Sequence, residues 1–296
     1  MIKLFNAFMF KLTRDLTFRI MLIIGASLAV LTATIFFILD QTGASASMGF
    51  GQDFKVATGQ SMLVFSMSPA QNFGIAIPIN LAVFIVLEFT QGTIRNKVIV
   101  GNSKFKIYAS TYLCGLVFAI AIMLVYVGVC FALGSLSGGF DANGMAFTSS
   151  GAGKVSPQFL FRLVIVTVMT YFTTVAFTTF VATLFRNVGP CIPLVVIPIT
   201  MLAMLSLITT MTLAGVDTGV ENNVFIENLA NVSKFLNPLH AACGYEVNFL
   251  TDVPLNQAIH YVMSNDTFVA AIINNLIYTA LFFTLGAFIF AKRDIK

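Results

Sequence analysis

The sequence predicts an all-α fold: a polytopic membrane protein with about six transmembrane helices and an N-terminal helix lying in the membrane interface, all within a single transmembrane domain, 1–296. Three observations predict it. Hydrophobic residues make up 58% of the 296 and charged residues only 9%, whereas a soluble chain of ordinary composition carries about a quarter charged. Six apolar runs each reach about 20 residues or more, enough for a helix rising ~1.5 Å per residue to cross a ~30 Å hydrocarbon core. The cations between those runs fall on alternate sides.

Residues 1–19 open the chain with Leu4, Phe5, Phe8, Leu12 and Leu16 on one helical stripe and Lys3, Lys11, Arg14 and Asp15 available to the other. That pattern suits an interfacial helix whose basic face meets anionic headgroups, making membrane lipid a partner. Span 1 is 20–39. Ala44-Ser45-Ala46 beyond it imitates a signal-peptidase site, but the apolar run exceeds the about 7–15 residues of a signal peptide's core. Span 2 is 63–87 and contains Pro69 and Pro78, so the part before Pro78 is either an entry segment or a bent first half, covered by neighbouring helices.

Span 3 is 107–133 and span 4 is 159–185, with Arg162 near the outer end of the latter. Gly151-Ala152-Gly153-Lys154 between them is not a phosphate-binding loop, because Thr148 replaces the first glycine and Val155 the magnesium-binding hydroxyl. Span 5, 188–214, carries Pro190, Pro193 and Pro198 in its first half, which predicts a distorted inner end. The segment 215–266 is extracytoplasmic, and helical spacing predicts two short amphipathic helices in it, 224–236 and 239–250, broken at Asn237-Pro238. Span 6 is 267–290.

Sidedness follows from charge. One side holds Lys3, Lys11, Arg14, Arg19, Arg95, Lys97, Lys104, Lys106, Arg186, Lys292, Arg293 and Lys296, and the other only Lys55, Lys154, Arg162 and Lys234. The positive-inside rule makes the first side cytoplasmic, with both termini on it, in a multi-pass cell (plasma) membrane protein. The net charge of +4 is thus divided by membrane side, and no aromatic-interleaved basic run points to nucleic acid.

Reactive groups at depth are scarce. His240 and His260 both lie in the outer segment, no H-E-x-x-H or C-x-x-C occurs, and no nucleophile stands beside a base. Cys114, Cys130 and Cys191 fall within spans, and Cys243 has no obvious partner, so all four are expected to be free thiols. The chain is not expected to be an enzyme by itself. Asn274 and Asn275 are the most polar pair in a span, suited to interhelical hydrogen bonds.

The informative stretch is 88–106, E-F-T-Q-G-T-I-R-N-K-V-I-V-G-N-S-K-F-K, between spans 2 and 3. Thr90 can cap a short helix with Ile94, Val98 and Val100 on one side and Arg95, Asn96 and Lys97 on the other. Gly101 supplies a left-handed stop, and Ser103 caps the following span. By spacing alone this is either a positive-inside anchor or a docking element.

The same stretch, continued through Ile107-Tyr108, resembles the segment after the second span of type-2 ATP-binding-cassette exporter permeases. In that family an acidic residue, G-T-[IL]-R-N-K, a glycine and basic residues recur in a cytoplasmic coupling element. The resemblance implies coupling roles for Glu88, Gly92, Thr93, Arg95, Asn96, Lys97 and Gly101. It implies as partners separate nucleotide-binding ATPase subunits, which would hold the ATP and Mg, and a second permease copy or related permease, with no cofactor on this chain. The implied function is the permease subunit of an exporter for an amphipathic or hydrophobic cargo. A secondary transporter and a non-transporting membrane scaffold or sensor are the alternatives.

Overall fold

The computed structural model describes residues 2–14, 16–43, 57–67, 76–140, 157–185, 187–213, 228, 232, 233, 236–239, 246–249, 259–263 and 265–293. In chain order the helices are α1 (Ile2–Arg14), α2 (Leu16–Gln41), α3 (Gly59–Ser66), α4 (Ala76–Thr90), α5 (Thr93–Ile99), α6 (Lys104–Gly138), α7 (Pro157–Leu184), α8 (Val188–Leu213) and α9 (Asn265–Lys292). A two-stranded antiparallel hairpin, β1 (Glu246–Phe249) and β2 (Ile259–Val262), pairs Glu246 with Val262 and Phe249 with Ile259. Among the described residues, five helices are long and apolar enough to cross a membrane, six when α4 and α5 count as one bent span. The protein is therefore a helical, multi-pass membrane protein.

Two helices form the centre. In α6 and α7, 44% and 56% of the most apolar stretch is buried, against 17% for α2 and α8 and 11% for α9, so the last three are peripheral. α1, α2 and α3 pack on α6, while α4 and α9 pack on α7. The outward residues of α2 and α9, such as Ile23, Leu31, Ile277 and Phe288, are exposed apolar side chains, as expected where the solvent is lipid. Because lipid is as apolar as they are, cohesion has to come from close packing and interhelical hydrogen bonds.

Both devices are present. Tyr126 of α6 and Thr32 of α2 share a hydroxyl contact of 3.2 Å, and the Cys130 thiol donates to the Ala29 carbonyl. Cys114, Cys130 and Cys191 are buried free thiols, and Cys243 lies outside the described residues. Where α3 meets the far end of α6, a Cβ on Gly138 would stand 2.4 Å from the Ala57 carbonyl oxygen. Gly138→Ala is accordingly expected to cost about 1–2 kcal/mol, read as a lower unfolding temperature in detergent.

Four expectations are corrected. Span 2 is two helices rather than one run over 63–87: α3 ends at Ser66 and α4 begins at Ala76. Pro78 does not kink it, since it occupies the first turn of α4, where an N–H has no intrahelical acceptor. In α8, Pro190 likewise falls in the first turn, and the prolines do not break the helix, which runs on through Pro193 and Pro198. Strand β1 occupies 246–249, where a helix over 239–250 was expected. Glu246-Val247-Asn248-Phe249 alternates polar and apolar residues, the period of a strand.

The earlier part of the segment 215–266 is helical at its described positions, Asn228, Val232, Ser233 and Leu236. Asn237-Pro238 then turns the chain back into the bundle. Asn237 donates to Leu202 O of α8 at 2.8 Å, and Asn275 of α9 donates to Pro238 O at 3.1 Å. Asn275 also accepts from Thr173 of α7 at 2.7 Å. Of the asparagine pair, only Asn275 is buried.

Candidate functional site: the α1–α4–α5 junction

α4 ends at Thr90, and the chain turns by 58° into α5. The turn is made by Gly92 at φ 68°, a conformation that side chains with a Cβ disfavour, and α5 then begins at Thr93 with no side-chain cap. Thr90 is therefore not the cap: its hydroxyl donates back to Leu87 O at 3.1 Å and finishes α4 instead. At the other end Gly101 adopts φ 91°. Asn102 closes the turn through backbone and side-chain N–H bonds to Lys97 O, and Ser103 caps α6 by accepting from Lys106 N.

Glu88, in the last turn of α4, is 1% exposed and is the centre of the site. A carboxylate there opposes the helix dipole and loses its water, so it persists only with cationic partners. Two converge on it. Lys11 of α1 donates to Oε1, and Lys97 of α5 donates to Oε2 at 2.6 Å. Thr93 Oγ1 lies 2.7 Å from Oε2 and 2.8 Å from the Glu88 carbonyl, and its one proton serves either acceptor. The Lys97 ammonium also sits 3.3 Å from the centre of the Phe8 ring of α1.

Lys97 is thus turned inward, against the expectation that it faces water with Arg95 and Asn96. The spacing explains it: Ile94, which is 3% exposed, and Lys97 are three residues apart on one helical face. Arg95 and Asn96 are exposed as expected. Val100, expected on the covered side, is 80% exposed and adjoins Ile99 at 71%.

Lys11, expected only on the basic face of α1, belongs to the site as well. Its position already marked it, since Lys11 is seven residues from Leu4 and three from Phe8, on the buried stripe of α1. That stripe, Leu4, Phe8 and Leu12, is packed into the protein core.

The seven residues divide into three jobs. Glu88, Thr93 and Lys97 brace α5 from behind; Gly92 and Gly101 turn the chain at its two ends; Arg95 and Asn96 face outward with Ile99 and Val100. The remaining corner is fixed by α9. Lys104 of α6 donates to the carbonyls of Ala291 and Arg293 at 3.0 and 2.8 Å, while Arg293 donates to Thr183 O of α7 and lies over Phe89 of α4.

The arrangement offers one exposed cation, Arg95, beside the exposed apolar pair Ile99 and Val100, on a short helix held from behind by an ion-pair network. Compared with protein-family models, with curated proteins and with solved structures, the chain finds no match.

Proposed function

We propose that this chain is the membrane permease subunit of an ATP-binding-cassette exporter and that α5 is its docking element for a separate ATPase subunit. The observation that carries the reading is the braced short helix: α5 leaves α4 at 58°, is held from behind by Glu88, and presents Arg95, Asn96, Ile99 and Val100. A loop that only anchored a span by its charge would need cations near headgroups, and would need neither a buried carboxylate brace nor an exposed apolar pair at its tip.

In this reading the cation-rich end is cytoplasmic, in the plasma membrane, and ATP and Mg belong to the partner. Two copies, or one copy and a related permease, would enclose a path for an amphipathic or hydrophobic cargo such as a peptide, an antibiotic or a lipid. Closure of the ATPase subunits would push α5, and the brace would pass the motion to α1 and α4 together.

The test is co-purification of the tagged chain with an ATP-hydrolysing subunit, comparing wild type with Arg95→Glu/Ile99→Asp. Both positions are exposed, so folding is expected to survive. Association is expected to weaken about thirtyfold, the scale of losing one interface hot spot. Unchanged association, or transport by the purified chain without any ATPase, would defeat the proposal.

A further inference from the structure

Beside the junction lies an open crevice of about 580 Å³ between α1 and α4, lined by Phe10, Lys11, Arg14, Phe84, Leu87 and Gln91, with Leu16 at its edge. We infer that this crevice is a binding site for an anionic phospholipid, whose phosphate group meets Lys11 and Arg14 while its acyl chains follow the apolar wall.

The charges carry the inference. One carboxylate, Glu88, faces two ammonium groups, Lys11 and Lys97, which leaves the cluster one positive charge in excess. Lys97 is enclosed, its side chain 19% exposed, whereas Lys11 is 39% exposed and lines the crevice. An ammonium has three donors. The bond to Glu88 uses one, and the crevice is where the others can be met.

Arg14 adds a second cation, and among the described residues no acidic side chain lines the space. Its guanidinium stacks over the Phe10 ring at 4.1 Å, which leaves the in-plane N–H donors for a phosphate.

The walls decide between a lipid and a free anion. Phe10 is 58% exposed, Leu16 69% and Leu87 37%, so the cations are rimmed by apolar side chains open to the membrane. A lone phosphate would leave that rim uncovered, whereas a lipid covers it and supplies the anion. Basic pockets between helices at a membrane face bind anionic headgroups on the same logic.

The measurement is native mass spectrometry of the full chain in detergent, titrated with dioctanoyl phosphatidylglycerol, dioctanoyl phosphatidylcholine or inorganic phosphate. Phosphatidylglycerol is expected to be retained in preference to phosphatidylcholine. Arg14→Gln is expected to weaken that retention about tenfold, as loss of one charge-assisted contact does, and Arg14→Lys to restore most of it. Equal retention of the two lipids, no effect of Arg14→Gln, or displacement of phosphatidylglycerol by inorganic phosphate at equal concentration would each overturn the assignment. None of these outcomes depends on an ATPase, so the lipid site and the docking reading fail separately.

Discussion

Replacing Glu88 with alanine is expected to destabilise the protein by about 3 kcal/mol, because it leaves the Lys97 ammonium enclosed without its carboxylate. Removing one member of a buried ion pair costs roughly 3–5 kcal/mol. The lower end applies here, since Lys11 is 39% exposed and can turn toward water. Lys97 has no such exit: its side chain is 19% exposed and pinned over Phe8. Lys97→Met is expected to be milder, because Glu88 then keeps Lys11 as a single neutralising partner. The combination Glu88→Gln/Lys97→Met should recover much of what Glu88→Gln loses, a coupling that thermal unfolding of the four proteins in detergent would measure. Wild-type stability in Glu88→Ala would show that the carboxylate is no brace.

The second large effect is expected at Gly286. A Cβ there would stand 2.0 Å from the Tyr108 hydroxyl oxygen and 2.6 Å from the ring carbon bearing it, so alanine forces the ring to move. The ring has little room. Tyr108 is 1% exposed, with Phe283 at 5.4 Å and Phe290 at 5.9 Å between ring centres. Gly286→Ala is expected to cost about 2–3 kcal/mol, the upper range for overpacking a filled core. Among the described residues the Tyr108 hydroxyl has no hydrogen-bond partner, so Tyr108→Phe removes a buried, unsatisfied group and should not destabilise. In that background Gly286→Ala should cost about 1 kcal/mol less, because one of the two clashing atoms is gone. Strict additivity of the two changes would contradict the described packing.

The spans were legible because their signal is cumulative: twenty apolar residues bounded by cations have few other solutions. Local stops were also legible where one residue decides the geometry. Gly101 takes a positive φ and Ser103 caps α6, both as their residue types demand. Thr90 misled because two polar residues compete for one boundary, and Gly92, which can turn left-handed, moves the start of α5 to Thr93. Lys97 misled for a different reason. Its charge suggested water, but its register places it beside Ile94, and only Glu88, on the preceding helix, makes that register tolerable. For Lys11 the stripe of α1 showed the burial but not the partner, a carboxylate 77 residues away. Pairings across such separations depend on how helices stack, and one helix's periodicity carries no information about its neighbour.

The clasp made by Lys104 and Arg293 has a mechanical consequence. It ties the foot of α4, the start of α6, the tail of α7 and the final turn of α9 into something close to a plate. At the opposite end of α7 and α9, Arg162 reaches from α7 to Met263 O and Asn265 at the head of α9, so these two helices are tied at both ends.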